Sequence, residues 1–434
     1  MRFQVSAMFS DNMVLQRGKN IRVFGTGEDG VKITAQLCGF TTSCTVTKGK
    51  WRLVFPPMGA CRFTNLTLTD DETDDEIVFE RVAIGEVWLA CGGSGMELPL
   101  KECADGVPEL SPEESADVRY YSLPRRTVLD ENYESALNAA RWRGFDGDEC
   151  AVGFYFAKKM SEYLNVTVGV IECRYGETPA LSWLDTEGMD NAADVLPGVD
   201  FDAPRGKLSP GVLFESLIKP VCPYTLGGVL WYHGEADGNR ANAHYIDLTR
   251  VFDRWREAWG NHELTFIIGQ LPMLGDKPDD GEEYSLIREA QMKMYDIFKN
   301  MGICALLDCA DRDCAPEVGR RFAMQALNII NGGCDGSCAP AFKDAIWRGD
   351  TVELQFNNAR GGFKVEGNEP SGFEVCGTDG VYYPAIADIS GEKIFLTCEQ
   401  VPQPVAVRYL WRNNAEIHIK SMFGLPIVPF RIAM

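Results

Sequence analysis

The sequence has no long run of apolar residues, and no window reaches the roughly 20 that a membrane-spanning helix needs. Its first residues, MRFQVSAMFSDNMVLQRG, lack the basic stretch followed by an apolar stretch that marks a secretory leader. We therefore expect a cytoplasmic protein. Histidine is also scarce, with four in 434 residues, so a catalytic imidazole has few possible positions.

Positively charged residues are in the minority. The sequence has 42 Lys and Arg against 63 Asp and Glu, which gives a formal net charge of -21. Such a surface repels phosphate backbones and anionic lipids, so the sequence predicts neither a nucleic-acid nor a membrane partner. A local arginine can still attract an anionic sugar, because screening limits the general field to about 8–10 Å. The sequence does not indicate an oligomeric state.

The chain has fifteen cysteines but no paired CxxC motifs. In a reducing compartment we expect these to be buried thiols rather than a disulfide framework. One group has two spacings near the zinc-ligand range, which leaves a structural zinc site as the less favoured alternative. The group consists of Cys304, Cys309, Cys314, Cys334 and Cys338.

The pattern of apolar residues changes twice along the chain. Residues 1–81 alternate β-branched and aromatic residues with turn residues, which predicts an N-terminal β-rich domain. Over 82–332, short apolar strands alternate with helical stretches, which favours an α/β domain with a mostly parallel sheet. Residues 333–434 are again typical of a β-rich domain. In such α/β sheets, ligands bind at the carboxyl ends of the strands.

A candidate nucleophile follows the first strand of the α/β region. The strand at 86–90 leads directly into Gly92-Gly93-Ser94-Gly95. Glycine permits a tight turn, and the backbone N–H groups of such a turn can face a developing oxyanion. By itself the pattern is also that of a plain flexible turn.

The segment GEVWLACGGSGME at 85–97 resembles the "GEVWLCSGQSNME" element of the sialate O-acetylesterase family, which belongs to the SGNH hydrolases. Similar elements occur along nearly the whole chain. They lie at 9–18 (FSDNMVLQRG), 169–183 (GVIECRYGETPALSW), 228–239 (GVLWYHGEADGN), 270–272 (QLP), 288–291 (REAQ), 407–409 (VRY), 424–426 (GLP) and 429–431 (PFR).

This resemblance implies an SGNH-type, flavodoxin-like parallel sheet flanked by two β-rich regions. It also implies hydrolysis of acetyl esters on small O-acetylated sugars of the sialate type, without metal or cofactor. Ser94 would be the nucleophile, and its N–H and that of Gly176 would hold the oxyanion. Arg174 and Glu235 are assigned to substrate binding, with Arg174 as partner for a sialate carboxylate. The alternative for Arg174 is a surface or structural salt bridge.

The chain departs from the family at its general base. The family's late histidine should fall in 307–321 (LDCADRDCAPEVGRR), where Ala315-Pro316 stands in place of His-Pro. In the third element, His233 replaces a glutamine, and Asp237 takes the oxyanion-hole position at which an asparagine is expected, so it is assigned to the oxyanion hole with Ser94 and Gly176. An ionised carboxylate at that position repels a developing negative charge. However, related acetylxylan esterases carry "GESD" or "GEAD" there, so Asp237 does not exclude activity.

His233 is the best candidate for a replacement base, oriented by Glu235 or Asp237, because a serine needs an adjacent proton acceptor. The alternative is that His233 is a polar residue lining the pocket. The remaining histidines are interpreted as packing or surface residues. They are His244, His262 and His418.

Three functional hypotheses follow. The first is a serine-dependent O-acetylesterase with a relocated base. The second is a catalytically impaired relative that still binds sugar. The third and least favoured places a metal or a reactive thiol where the family histidine is missing. Its candidate groups are Cys309, Asp311, Asp313 and Cys314.

Overall fold

The computed structural model describes residues 2–103, 117–187, 209–275, 281–333, 336–367 and 369–434. The chain folds into two compact units. The first comprises Met1–Trp231 and Asp247–Phe266, and the second comprises Tyr232–Ile246 and Ile267–Met434. Among the described residues, no helix combines the length and the apolar character needed to cross a bilayer.

Among its described residues, the first unit contains the strands up to β11, two helices and most of a third. The strands are β1 (Phe3–Val5), β2 (Val14–Gln16), β3 (Ile21–Gly27), β4 (Lys32–Leu37), β5 (Phe40–Thr45), β6 (Lys50–Phe55), β7 (Cys61–Asp70), β8 (Glu76–Gly92), β9 (Val118–Ser122), β10 (Val168–Arg174) and β11 (Gly228–Tyr232). The helices are α1 (Glu131–Ala139), α2 (Ala151–Leu164) and α3 (His244–Trp259).

The main sheet of the first unit is mixed. Strands β2 and β10 run parallel to β8, and β9 runs parallel to β10. Strands β7, β4 and β5 extend the sheet by antiparallel pairing, and β11 also neighbours β8. The predicted α/β character is confirmed, but the sheet is mixed rather than mostly parallel. The SGNH-type arrangement stays a prediction.

Strand β8 shows both sequence patterns that suggested a domain boundary. Its first residues alternate between exposed and partly buried, whereas residues 82–92 are all buried. Continuous burial is expected for a strand covered on both faces. The boundary expected at residue 82 therefore falls within a single strand, and the division into three domains stays a prediction.

Two of the sequence elements are connected at β8. A side chain on Gly85 would overlap the Thr167 carbonyl oxygen, so only glycine fits. The next residue, Glu86, is buried and accepts hydrogen bonds from Arg17 Nε (2.7 Å) and Gln16 Nε2 (3.2 Å). These contacts explain the "LQRG" and "GEVW" elements as parts of the scaffold, because a buried carboxylate requires such partners.

The described part of the second unit consists of two helices and the remaining strands. The helices are α4 (Glu283–Ile297) and α5 (Ala315–Asn331). The strands are β12 (Phe266–Gln270), β13 (Met301–Ala305), β14 (Ala341–Arg348), β15 (Thr351–Asn357), β16 (Phe363–Val365), β17 (Phe373–Cys376), β18 (Tyr382–Pro384), β19 (Ile386–Ser390), β20 (Lys393–Thr397), β21 (Ala406–Tyr409), β22 (Ile419–Ser421) and β23 (Phe430–Ala433).

Within the second unit β12 neighbours β13, and the later strands form small antiparallel sheets in the orders β14-β15-β20-β19, β18-β17-β21-β23 and β16-β22. These sheets share an apolar core in which Val352, Leu354 and Ile394 are fully buried. The predicted β-rich character after residue 332 is confirmed.

Candidate active site

Ser94 lies just beyond the carboxyl end of β8, in the first unit. It begins a single 3-10 turn, Ser94–Met96, in which Met96 is buried and Ser94 is exposed. The buried methionine anchors the turn, and the exposed serine lies at the edge of the sheet. The structure thus places this predicted residue where ligands of α/β sheets bind.

Gly176 lies beside Ser94. It follows β10, which pairs in parallel with β8 so that Arg174 lies opposite Gly92. A Cβ built on Gly176 would be 3.3 Å from Ser94 Oγ and would overlap Glu97 Oε2. The structure therefore brings the predicted Ser94 and Gly176 together, and it adds a carboxylate that sequence reasoning did not include.

Glu97 forms an ion pair with Arg125, which follows the carboxyl end of β9. The side chain of Arg125 is 50% exposed, and its guanidinium carbon lies 5.5 Å from the centre of the Tyr175 ring. Sequence reasoning missed all three residues. Glu97 and Tyr175 lie within two of the quoted elements, but nothing in the sequence pointed to Arg125.

Arg174, the predicted substrate-binding arginine, is used mainly by the scaffold. Its Nη1 donates to the Glu97 carbonyl (3.0 Å) and its Nη2 to the Asp148 carbonyl (2.7 Å). Nη2 also lies 3.7 Å from Glu172 Oε2, and the side chain is 13% exposed. These contacts leave the guanidinium little capacity to bind a ligand.

Glu172, on β10, lies beneath this edge and is buried. It accepts hydrogen bonds from the Cys150 N–H (2.6 Å) and from Ser122 Oγ (3.0 Å). Burial raises the pKa of Glu172, although the charge of Arg174 acts in the opposite direction. The Tyr120 hydroxyl is also buried, and among the described residues it has no hydrogen-bond partner.

His233 and Asp237 lie in the second unit. His233 Nδ1 is 3.3 Å from Asp237 Oδ2, and both side chains are almost completely buried. His244, the first residue of α3, places its Nδ1 3.8 Å from the same oxygen. Asp237 therefore lies between two imidazoles, and the predicted pairing of His233 with Asp237 is present. His244 is a packing residue, as predicted, but its contact with Asp237 was not foreseen.

The backbone around His233 is fixed by the "REAQ" element on α4. Gln291 Nε2 donates to the His233 carbonyl (3.0 Å), and Gln291 Oε1 accepts from the Leu271 N–H (2.9 Å). Gly234 has a φ of +137°, a conformation that favours glycine. Glu235 is partly buried, and its carbonyl accepts from the Tyr284 hydroxyl (3.1 Å).

Ala315 stands at the position where the family histidine is expected, and its methyl side chain cannot act as a base. This residue is buried at the start of α5, and Pro316 lies in the first turn. Nearby, Asp308 accepts from Arg321 Nη1 (2.6 Å) and forms an ion pair with Lys420 (3.1 Å). Burial would raise the pKa of Asp308, but these two cations hold it below its usual range. The segment is a structural ion-pair network.

The cysteines in the described residues are free thiols. Burial raises the pKa of Cys304, Cys309 and Cys314, which disfavours the thiolate form. Among the described residues, these thiols do not form a group of three ligand atoms that could share an ion. Cys334 lies outside the described residues. The geometry thus does not favour zinc or a reactive thiol here.

The remaining histidines differ in exposure. His262 is exposed, and His418 is partly exposed with its Nδ1 3.0 Å from the Glu366 carbonyl oxygen. Both fit the predicted surface or packing role.

Comparisons with known proteins agree with the sequence elements. A profile of the family described as carbohydrate esterase, sialic acid-specific acetylesterase, matches residues 111–315. Sialate O-acetylesterases of Pongo abelii and Homo sapiens are each 24% identical to this chain over 345 residues, covering 72% of this chain and 66% of theirs. The chain therefore spans about two thirds of the length of these curated relatives.

A solved structure is similar over its full length. The crystal structure of a carbohydrate acetylesterase from Xanthomonas citri matches with a TM-score of 0.86 and 25% sequence identity, covering 100% of both chains. This match extends over both compact units of the chain.

Proposed function

Since the chain belongs to the sialate O-acetylesterase family, we propose that it is a carbohydrate O-acetylesterase that uses Ser94 to remove acetyl esters from sugars of the sialate type. The observation that supports this proposal is the exposed Ser94 hydroxyl beside Gly176, at the shared carboxyl edge of β8 and β10. A nucleophile at such an edge is accessible to a small substrate.

In the proposed reaction, Ser94 Oγ attacks the acetyl carbonyl and its proton passes to a base. The tetrahedral intermediate carries an oxyanion, which the N–H groups of Ser94 and Gly176 stabilise. Each such donor contributes about 3–4 kcal/mol. The sugar hydroxyl then leaves with a proton from the base, and water releases acetate from the acetyl-serine.

We propose His233 as that base and Asp237 as the residue that orients it. The approach of His233 Nδ1 to the Asp237 carboxylate (3.3 Å) supports this pairing. In a serine triad, a carboxylate at one imidazole nitrogen leaves the other for proton transfer. The sequence assigns Asp237 to the oxyanion hole, but its carboxylate lies 3.3 Å from His233 Nδ1 and 3.8 Å from His244 Nδ1, so an orienting role fits it better.

The test is the rate of acetate release from p-nitrophenyl acetate and from O-acetylated sialic acid. Ser94→Ala should reduce kcat/KM by about 10³-fold or more, because removing a nucleophile leaves only binding and the oxyanion hole. Ser135→Ala, at an exposed position on α1, should leave it unchanged. Equal turnover by both variants would refute the proposal.

A catalytically impaired sugar-binding protein is the second candidate. It is favoured by Ala315 in place of the family histidine and by the burial of His233. Calorimetry would then detect binding of sialic acid with no esterase turnover. Turnover that depends on Ser94 would eliminate this candidate.

A further inference from the structure

We propose that Arg125 binds the carboxylate of the acidic sugar, with Tyr175 and Glu97 holding its guanidinium in place. This inference rests on the proposed function, because it assigns the residue that would select an anionic substrate at the Ser94 site. It also moves that role away from Arg174, whose side chain is largely engaged by the scaffold.

The topology of the first unit places Arg125 on the same edge as the nucleophile. Strands β8, β10 and β9 are parallel neighbours. Ser94 follows the carboxyl end of β8, Gly176 follows that of β10, and Arg125 follows that of β9. Because the carboxyl ends of neighbouring parallel strands lie along one edge, a sugar bound at Ser94 can extend across β10 towards Arg125.

The contacts of Arg125 hold its guanidinium in place and leave some of its N–H groups available to a ligand. Its Nη2 donates to Glu97 Oε1, and its guanidinium lies over the Tyr175 ring, 5.5 Å from the centroid. No other protein acceptor for Arg125 occurs among the described residues, and half of its side chain is exposed. The remaining N–H groups can therefore bind a planar carboxylate, which matches the fork of a guanidinium.

Glu97 connects this cation to the nucleophile. One of its carboxylate oxygens pairs with Arg125, and the other lies against Gly176 beside Ser94 Oγ. The ion pair thus fixes Arg125 relative to the Ser94 turn. In a chain of net charge -21, a cation held close to the site can attract an anion within about a Debye length.

The neighbouring Arg126 provides a matched control. It is also exposed, and its removal changes the net charge equally. Among the described residues, the ion pair with Glu97 and the cation–π contact with Tyr175 are made by Arg125. An effect of bulk charge alone should be the same for both positions. A specific carboxylate site should respond only to Arg125.

The experiment compares the kinetics of the unaltered protein, Arg125→Gln and Arg126→Gln. The substrates are O-acetylated sialic acid, its methyl ester, in which the carboxylate is capped, and p-nitrophenyl acetate. Arg125→Gln should raise KM for the acid about 10- to 100-fold, as expected for lost charge-assisted hydrogen bonds, with kcat little changed. Arg126→Gln should stay within about threefold of the unaltered protein.

The capped substrate supplies the decisive comparison. For the unaltered protein, KM should be higher for the methyl ester than for the acid by the same factor. For Arg125→Gln, KM should be the same for the acid and the methyl ester. With p-nitrophenyl acetate, all three proteins should have the same kinetics. An equal preference for the acid in Arg125→Gln and Arg126→Gln would overturn the inference while leaving the esterase intact.

A binding measurement distinguishes failure of the inference about Arg125 from failure of the proposed esterase function. If no protein hydrolyses any ester, the proposed function fails, and calorimetry with sialic acid itself still tests Arg125. The inference then requires binding by the unaltered protein and by Arg126→Gln, with about 10-fold or greater loss in Arg125→Gln. Absence of binding by the unaltered protein would overturn it.

Discussion

The carboxylate of Glu97 occupies the space that a side chain at Gly176 would need. The same space borders Ser94 Oγ, 3.3 Å from the position of that missing Cβ. Glycine is therefore required at 176 for two reasons, the packing of Glu97 and access to the serine hydroxyl.

Substituting Gly176 by alanine should affect activity more than stability. The new methyl group would push aside Glu97, whose flexible side chain can move with little loss of folding free energy. It would also disturb the proposed oxyanion donor, so kcat/KM should fall about 10²- to 10³-fold. Kinetics and thermal unfolding check both parts. Gly59→Ala, at a site with open space around it, is the control, and equal activity of the two variants would contradict the assignment.

His233→Gln should reduce kcat by about 10²-fold or more, because the proposed base is lost. Asp237→Asn should produce a loss of similar size, since the imidazole would lose its orienting carboxylate. Circular dichroism should confirm that both variants fold. The control is His262→Gln, because His262 is exposed. Full activity in folded His233→Gln would show that another group takes the Ser94 proton.

Because burial raises the pKa of Glu172, the stability of the folded protein should depend on pH in a specific way. Its folded pKa is raised above 4.5 by burial, so between about pH 4.5 and that raised value the native state binds more protons than the unfolded state. The stability of the unaltered protein therefore falls as pH rises through this window. Glu172→Gln has no such titration, so its stability relative to the unaltered protein should increase through the window and then level off.

Urea unfolding at a series of pH values measures this difference. Glu134→Gln, at an exposed position on α1, is the control for a Glu→Gln change outside this site. A Glu172→Gln difference that does not vary with pH would mean that the carboxyl group is not destabilised by burial.

Removing metal should leave the proposed esterase activity unchanged. The buried thiols of Cys304 and Cys309 and the partly buried thiol of Cys314 have raised pKa values, and neutral thiols are poor zinc ligands. Treatment with a strong chelator should change neither the rate nor the unfolding temperature. Stoichiometric zinc by elemental analysis, with loss of activity on chelation, would contradict this expectation.

Sequence reasoning proposed the parts of the candidate site that depend on local chemistry. Ser94 was found because a turn of small residues follows an apolar strand, and Gly176 because a family element surrounds it. Both signals are contained within a few consecutive residues. For His233, the sequence left Glu235 and Asp237 open as the orienting carboxylate, and the structure places the Asp237 carboxylate 3.3 Å from its Nδ1.

The missed residues depend on tertiary structure. Arg125 follows β9, Glu97 follows β8 and Tyr175 follows β10, so only the parallel order of these strands brings them together. The same cause explains why the mixed sheet was not predicted. A boundary was expected at residue 82, where composition changes, but β8 continues through it and pairs with antiparallel β7 on one side. The pattern of apolar residues indicates which parts of a strand are buried, but it does not indicate whether neighbouring strands run parallel or antiparallel.

The most direct test of the central claim is covalent labelling of the intact protein with a fluorophosphonate, followed by peptide mass spectrometry. Such a probe reacts with a serine only where a base activates the hydroxyl. We predict one adduct, on Ser94, that forms in the native protein and is lost on denaturation and in His233→Gln. An unlabelled Ser94 in native protein, or an adduct on a different serine, would contradict the account.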